Sequence, residues 1–321
     1  MTDHASFPIP CDPLTVAYLR MAGDACAFIE TNTSHAVPDL LAALHSHGRQ
    51  PADVLYVVVT HAHLDHAAGA SALMQACPNA MLLAHPRAAR HMIEPAKLIA
   101  GATAVYGETR FAELYGTISP IPAERVRALA DGEAFTLGSA KLRVWHTAGH
   151  ANHHMVIHDP TLDTVYTGDT FGLVYPALQG RGRFALPSTS PTGFDAAEAH
   201  KSIDRVLALG TKTVSLTHYG PWPDLSEIAG QLHRFIDLAE SWVVMAAAGN
   251  EGAEAITDRL KTAWHEAIAA EGDRRDLGFD EASFRLLALD IDLNAQGLAF
   301  AAHARRAVAA ATVQRSASPS P

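Results

Sequence analysis

Residues 54–66 read VLYVVVTHAHLDH, an apolar run that leads directly into four candidate metal ligands. The run is rich in β-branched residues, which predicts a strand buried on both faces at the centre of a sheet. Since residues two apart on an extended chain point the same way, His61 and His63 are expected to face one point. Asp65 and His66 enter the next turn and are expected to face a second point. The spacing predicts a metal site, with either one zinc or two metals about 4 Å apart.

Three further candidate ligands each stand directly after a predicted strand. The ends of such strands collect at one edge of an α/β sheet, where these sheets bind their ligands. The repeated placement therefore predicts one joint site rather than separate surface residues. The three are His150 after residues 142–145, Asp169 after residues 164–166 and His218 after residues 213–216.

Strand and helix patterns alternate between residues 14 and 217, which predicts a mixed α/β fold. Asp195 is a suitable N-cap for a helix that runs to Leu209. Residues 180–193 are rich in glycine, proline and serine and predict an irregular loop. Glycine and proline also interrupt residues 94–127, which we leave unassigned and interpret as a possible lid.

The composition excludes several classes of protein. Of the 321 residues, 48% are hydrophobic and only 18% are charged, which is sufficient for a large buried core and excludes general disorder. The 24 basic and 34 acidic residues give a net charge of −10, which disfavours nucleic acids and anionic membranes as partners. Residues 1–13 lack the pattern of a secretory signal, and no apolar run approaches the roughly 18 residues of a membrane span. We therefore expect a soluble, cytoplasmic protein.

Cysteine usage disfavours a thiolate metal site, whereas histidine usage favours a metal site with imidazole ligands. The three cysteines are widely spaced, so neither a disulfide framework nor a thiolate metal site is predicted. The 19 histidines nearly equal lysine and arginine together. Imidazole is the commonest side-chain metal ligand, and the clustering of five of these histidines is therefore the informative feature.

These ligand motifs, in this order, resemble the metallo-β-lactamase superfamily over residues 14–221, and within it the glyoxalase II group. The resemblance implies an αββα sandwich with two divalent metal ions at one edge of its sheets, zinc being expected and iron or manganese being alternatives. It also implies the division of the ligands: the first metal is bound by His61, His63 and His150, the second by Asp65, His66 and His218, and Asp169 bridges them.

The resemblance also frames the domain organisation. We expect a metallo-β-lactamase-fold catalytic domain at residues 1–223 and an all-helical C-terminal extension at residues 224–321. The polar tail that starts at Ser316 is expected to fray. The extension could form a lid over the site or the interface of a homodimer. Its three predicted helices are residues 225–248, 251–270 and 280–310.

The chemistry of such a site favours hydrolysis. Two divalent cations bring a bridging water close to deprotonation at neutral pH, so a metal-bridging hydroxide could cleave a small ester, lactone or thioester. Asp65 could orient the hydroxide or carry a proton. The alternative is a non-haem iron redox or oxygen-dependent protein with the same ligands, resembling a persulfide dioxygenase or a diiron oxygen-binding protein. A non-catalytic binding module is a third interpretation, which the complete ligand set disfavours.

Three residues near the motifs are candidates for supporting roles. His154 stands four residues after His150, where glyoxalase-like proteins commonly carry a second histidine, and is expected to support the metal ligands from behind. Phe171 and Tyr175 follow Asp169 and are candidates for the wall of a pocket for a small-molecule substrate. Packing in the core is the alternative for both aromatic rings.

Overall fold

The structure, a computed structural model, describes residues 4–317, and of Val105 and residues 311–317 the backbone alone. Its first part contains β1 (His4–Asp12), β2 (Thr15–Ala22), β3 (Ala25–Ile29), α1 (Val37–Ser46), β4 (Val54–Val58), α2 (Leu64–Ala67), α3 (Ala70–Ala76), β5 (Met81–Ala84), α4 (Pro86–Ile93), α5 (Ala96–Tyr106), α6 (Glu108–Tyr115) and β6 (Val126–Ala128). The second part contains β7 (Ala134–Leu137), β8 (Ala140–His146), β9 (Met155–Asp159), β10 (Thr164–Leu173), α7 (Ala196–Ala208), β11 (Thr213–His218) and β12 (Gly220–Trp222). The last part is helical, with α8 (Leu225–Ala248), α9 (Ala253–Arg274), α10 (Glu281–Leu286) and α11 (Ala288–Ala317).

The first six strands form one sheet in chain order, with β1, β2 and β3 antiparallel and β3 to β6 parallel. The predicted central strand, β4, lies between β3 and β5. Val57 and Val58 are fully buried, whereas Leu55 near the start of the strand is 38% exposed, so burial on both faces holds only for its second half. Residues of α1 and α3, among them Leu40 and Leu73, pack against one face of this sheet.

The second sheet has the order β12-β11-β10-β9-β8-β7 and is antiparallel except for the β10/β11 pair. Tyr18 and Val58 of the first sheet pack with Met155 and Tyr166 of the second in a shared apolar layer. The outer face of the second sheet is covered by α7 and α8, through residues such as Ile203. The four layers are the predicted αββα sandwich, which is thereby confirmed.

A buried ion pair joins the two sheets. Arg20 on β2 donates from Nε to Oδ2 of Asp159 at the end of β9 over 2.5 Å, and both side chains have no exposed surface. The other carboxylate oxygen of Asp159 accepts from the backbone N–H groups of Thr161 and Leu162 at 3.0 and 3.3 Å. The pair therefore also holds the turn between β9 and β10.

Strand β1 is an element that the sequence patterns missed. Pro8 and Pro10 lie inside it, and proline weakens any strand prediction because it cannot donate to the ladder. The strand is nevertheless formed because it lies at the edge of the sheet and pairs only with β2. An edge strand leaves half of its N–H groups without a ladder partner in any case, so proline is tolerated there.

The helical part shares an apolar cluster with residues 173–186 of the sandwich. Trp264 of α9 belongs to this cluster and has no exposed surface; its ring lies next to Phe235 of α8, which in turn contacts Phe184. The third predicted helix is divided, since Leu287 separates α10 from α11. The expected frayed tail begins at Ser316, which is still helical, and residues 318–321 lie outside the described part of the chain. None of the helices formed by residues 4–317 combines the length and apolarity that a bilayer crossing demands.

The unassigned segment 94–127 is largely helical. It forms α5 and α6, which are separated by Gly107; its positive φ of 75° ends the first helix and begins the second. Phe111 of α6 packs with Leu64, the first residue of α2. The segment therefore flanks the turn that carries the HAHLDH motif.

Candidate metal centre

The seven predicted ligands lie in two adjacent groups at the end of the sandwich where β4, β8, β10 and β11 finish. Within each group, one ligand atom of every residue lies within 4.8 Å of the ligand atoms of the others. The division matches the one that the resemblance implies, with Asp169 placed in the first group. The first group is His61, His63, His150 and Asp169, and the second is Asp65, His66 and His218.

The first group is built by the segment after β4, the loop after β8 and, through Asp169, β10. Nε2 of His150 lies 2.9 Å from Nδ1 of His63 and 3.2 Å from Nε2 of His61. The opposite nitrogens have protein partners: His61 Nδ1 lies 3.0 Å from Thr60 Oγ1, and His150 Nδ1 lies 3.1 Å from the carbonyl oxygen of Ser188. Burial and the neighbouring rings lower the pKa values of His61 and His63 well below the usual value, so both are neutral and able to act as ligands.

The second group is built by α2 and the last residue of β11. His63 is the N-cap of α2, which turns Asp65 and His66 away from the direction of the preceding strand. Oδ2 of Asp65 lies 3.3 Å from Nε2 of His218 and 3.5 Å from Nε2 of His66. His218 donates from Nδ1 to the carbonyl oxygen of Leu14 over 2.9 Å, which leaves Nε2 without a proton when the ring is neutral.

Asp169 lies between the two groups. Its Oδ2 is 3.4 Å from Nε2 of His150, whereas its Oδ1 is 3.1 Å from Nε2 of His66 and 3.5 Å from Nε2 of His218. Each group therefore faces a different oxygen of one carboxylate. The residue lies within β10, not after a strand as the sequence pattern suggested, because β10 continues through irregular pairing with β11 after Tyr166.

Charges within the second group reinforce one another. Burial disfavours the charged form of His66, but Asp169 and Asp65 outweigh burial and raise the pKa of this ring well above the usual value. The same two carboxylates, against burial, raise the pKa of His218 to about 9. In return the histidines hold the pKa of both carboxyl groups below the usual range, although burial alone would raise it. The second group thus favours positive charge, in contrast to the neutral His61 and His63 of the first group.

His154 supports Asp169 from behind. The backbone N–H of Asp169 donates to Nε2 of His154 over 3.2 Å, so this nitrogen carries no proton. Its Nδ1 lies 2.8 Å from Thr147 Oγ1 and 3.2 Å from Thr170 Oγ1. A Cβ on Gly168 would lie 2.6 Å from Nε2 of His154, so glycine at this position permits the close approach.

Glu30 is a residue that the sequence patterns missed. It is 2% exposed, and its Oε1 lies 3.5 Å from Nδ1 of His66 and accepts from the backbone N–H of Thr60 over 3.3 Å. A carboxylate on the far side of a ligand histidine fixes the ring's tautomer and direction. The available signal was weak: an acidic residue that directly follows the apolar run 25–29.

The orphaned atoms of this region fit a bound cation. Nε2 of His66 and Oδ1 of Asp169 are buried and, although they lie 3.1 Å apart, neither forms a hydrogen bond with any of the described residues. On the far side of the same ring, Nδ1 of His66 and Oε2 of Glu30 are also buried without a hydrogen-bond partner among these residues. Buried polar atoms are normally satisfied, and converging nitrogen and oxygen atoms without partners are expected of a ligand set. Five imidazoles and two carboxylates suit divalent zinc, iron or manganese.

The two aromatic candidates for a pocket wall have other surroundings. Phe171 has no exposed surface and packs in the apolar cluster beneath α7 and α8. Tyr175 is 3% exposed and donates its hydroxyl to Oδ1 of Asp290 on α11 over 3.2 Å. Neither ring lines the small cavity beside the first group, whose walls include Thr170, Pro187, Phe194, Ile203 and Leu232 together with His150 and Asp169.

Comparison with known proteins gives a consistent result. A family model described as the metallo-β-lactamase superfamily matches residues 15–218, the part of the chain that carries all seven ligands. The metallo-β-lactamase fold-containing protein ST1585 of Sulfurisphaera tokodaii is 29% identical over 170 residues, which are 51% of this chain and 60% of that protein. The match thus spans less than two thirds of this relative's length.

Solved structures share the fold at low sequence identity. The archaeal ST1585 structure, from Sulfolobus tokodaii, has a TM-score of 0.63 at 20% identity and covers 92% of this chain and 98% of its own. The metallo-β-lactamase family protein TTHA1429 of Thermus thermophilus also has a TM-score of 0.63 at 20% identity, and the match covers 95% of this chain and 94% of that chain. The chemotaxis sensor ODP, solved as a peroxy diiron species, has a TM-score of 0.54 at 12% identity, and the match covers 72% of this chain and 90% of that chain.

Proposed function

Because the chain belongs to the metallo-β-lactamase superfamily, we propose that it is a metal-dependent hydrolase that binds two divalent cations, with zinc as the preferred metal. The observation that carries the proposal is the position of Asp169, which directs one carboxylate oxygen to each group of ligands. One metal would be held by His61, His63 and His150 and the other by Asp65, His66 and His218, with Asp169 shared.

The bound cations would supply a water that is deprotonated near neutral pH and would polarise the bond to be cleaved. The chain's own residues would then orient the reactants. Asp65 is suited to orienting the attacking water, because its side chain is 44% exposed whereas that of Asp169 is 5% exposed. The neighbouring His66 and His218 overcome burial and keep the pKa of Asp65 low, so the group is anionic at neutral pH and can accept a hydrogen bond that orients the attacking water.

We propose a small ester, lactone or thioester as the substrate. The support is the resemblance of the ligand motifs to the glyoxalase II group, whose members commonly carry a second histidine at the position of His154; here His154 accepts a hydrogen bond from the backbone of Asp169. This hydrogen bond holds the shared carboxylate in place. The proposed reaction needs no protein nucleophile, because the metal-bound water would attack the substrate. One preorganised site would bind both cations and the attacking water. Such a site is suited to cleaving acyl bonds to oxygen or sulfur.

A second candidate function is iron-dependent redox or oxygen chemistry with the same ligands. The observation that favours it is the fold shared with the diiron sensor ODP, together with a ligand set that suits iron as well as zinc. The two candidates differ in the metal required and in the consumption of oxygen.

The test is a substrate screen on protein that has been stripped of metal and reloaded with zinc, manganese or iron. We expect zinc-dependent hydrolysis of at least one class among nitrophenyl esters, γ-lactones and thioesters of small acids, lost in His61→Ala. His158→Ala is the matched control, since His158 lies on β9 outside both groups, and should retain activity. Absence of hydrolysis with every metal would refute the proposal, and oxygen consumption by the iron form alone would establish the second candidate.

A further inference from the structure

Helix α11 is attached to the loop behind the first ligand group through one buried side chain. Asn294 is 2% exposed, and its Oδ1 accepts from the backbone N–H of Thr189 over 2.7 Å. Its Nδ2 donates to the carbonyl oxygen of Pro187 over 2.9 Å. The backbone carbonyl of Asn294 also accepts from the hydroxyl of Thr189 over 3.2 Å. Both sides of Ser188 are therefore anchored to the same residue.

Ser188 in turn determines the direction of a predicted ligand. Its carbonyl oxygen lies 3.1 Å from Nδ1 of His150. A carbonyl can only accept, so Nδ1 carries the proton and Nε2 carries the free lone pair. Nε2 is the atom that faces His61 and His63 at 3.2 and 2.9 Å. The position of the Ser188 carbonyl thus selects the tautomer of His150 that can bind a cation.

A second feature of α11 keeps the loop at this distance. Gly297 lies one turn after Asn294, and a Cβ at this position would be 1.7 Å from the carbonyl oxygen of Thr189. No side chain could be accommodated there without displacing the loop or the helix. Residues 187–189 therefore lie directly against the backbone of α11.

We propose that Asn294 is a positioning residue of the metal centre, which holds residues 187–189 so that Ser188 directs His150 toward the first cation. The inference rests on the proposed metal-dependent function and extends it to the helical part of the chain. Asn294 lies outside residues 15–218, the range matched by the superfamily model. The first metal position of this protein accordingly depends on a helix that the superfamily match does not include.

The effect of a positioning residue is specific to one metal position, and this separates it from general stabilisation. Loss of a group that orients a ligand weakens metal binding by roughly 10- to 100-fold. We expect such a loss in Asn294→Leu at the first position only. Asn294→Asp retains the acceptor for Thr189 but sets a buried carboxylate oxygen against the carbonyl oxygen of Pro187, so it should also weaken the first position. Gly297→Ala, which displaces Thr189 by a separate route, should again weaken only the first position.

The experiment is a cobalt(II) titration of metal-free full-length protein, followed by visible absorption and calorimetry. A His218→Asn background isolates the first position, and a His63→Asn background isolates the second. Gln296→Ala is the control on α11, since Gln296 bonds to Asp292 of the same helix. Gly230→Ala is the control for a helical glycine, because the nearest atom to its added Cβ is the end of Arg234 at 3.7 Å. Both controls should bind cobalt as the parent does.

The outcomes separate this inference from the function on which it rests. A parent protein that binds no cobalt at the seven ligands would overturn the proposed function itself. A parent with two cobalt ions and folded Asn294→Leu and Gly297→Ala variants of unchanged affinity would overturn only the role of Asn294. Equal weakening at both positions would also overturn it, because general destabilisation then explains the loss. Circular dichroism and the melting temperature establish that each variant is folded.

Discussion

Oδ1 of Asp169 lies 3.1 Å from Nε2 of His66, while the other oxygen of the same carboxylate faces His150 at 3.4 Å. This single side chain is thus the link between the two ligand groups. Replacement by Asn or Ala removes the shared anionic ligand. We expect the metal content to fall from two ions per chain to one or fewer, as measured by plasma mass spectrometry after dialysis.

The matched control for this substitution is Asp163→Asn, which changes an acidic residue just before β10 that pairs with Lys212 at the surface. It should leave the metal content unchanged. Retention of two ions per chain by Asp169→Ala would contradict the bridging role.

Glu30→Gln tests the support behind His66. The substitution keeps the shape and an acceptor for the N–H of Thr60, but removes the charge that lies 3.5 Å from Nδ1 of His66. We expect roughly a tenfold or greater loss of affinity at the second metal position, measured by competition with a chromophoric chelator. Unchanged affinity in a folded variant would show that His66 is oriented without Glu30.

The metal-free protein should lose stability at alkaline pH. Asp169 and Asp65 raise the pKa of His218 from 6.5 to about 9, despite the opposing effect of burial. Below pH 6.5 the ring is protonated in both states and its contribution is complete. Between pH 6.5 and 9 only the folded state retains the proton, so roughly 3 kcal/mol of stability is lost over this window.

Calorimetry in the presence of a chelator measures this effect as a falling melting temperature between pH 6.5 and 9. The decline should be smaller in His218→Asn. It should not vanish, since His66 has a pKa shifted in the same direction. A decline of equal size in the variant would contradict the assignment to His218.

The buried pair of Arg20 and Asp159 should contribute to stability chiefly through the cost of breaking it. Both side chains have no exposed surface, so Arg20→Met leaves a buried carboxylate without its partner. We expect a loss of about 3–5 kcal/mol in urea unfolding. The double variant Arg20→Met/Asp159→Asn should be more stable than the single one. A double variant that loses more than Arg20→Met alone would contradict this account.

The part of the site that sequence patterns predicted is the part encoded locally. His61 and His63 are two residues apart in the segment just after β4, and this spacing alone indicates that they face one point. The mixed α/β class follows from the alternating patterns, whereas the αββα architecture was implied by the resemblance that the ligand motifs carry. Even the division of the helical part from the strands is visible, as the point where β-branched runs end.

The residues that escaped prediction act across long separations in the chain. Asn294 acquires its role only when α11 packs against residues 187–189, and a single asparagine in a helix carries no signal for this contact. Glu30 differs in no local feature from other acidic residues after a strand. Strand β1 was missed because its prolines oppose strand formation everywhere except at an edge.

The most direct test of the central claim is anomalous diffraction at the zinc edge from crystals of the full chain grown with zinc. The account predicts two peaks, one among His61, His63 and His150 and one among Asp65, His66 and His218, with Asp169 contacting both. A single peak, or zinc bound away from these seven side chains, would contradict it.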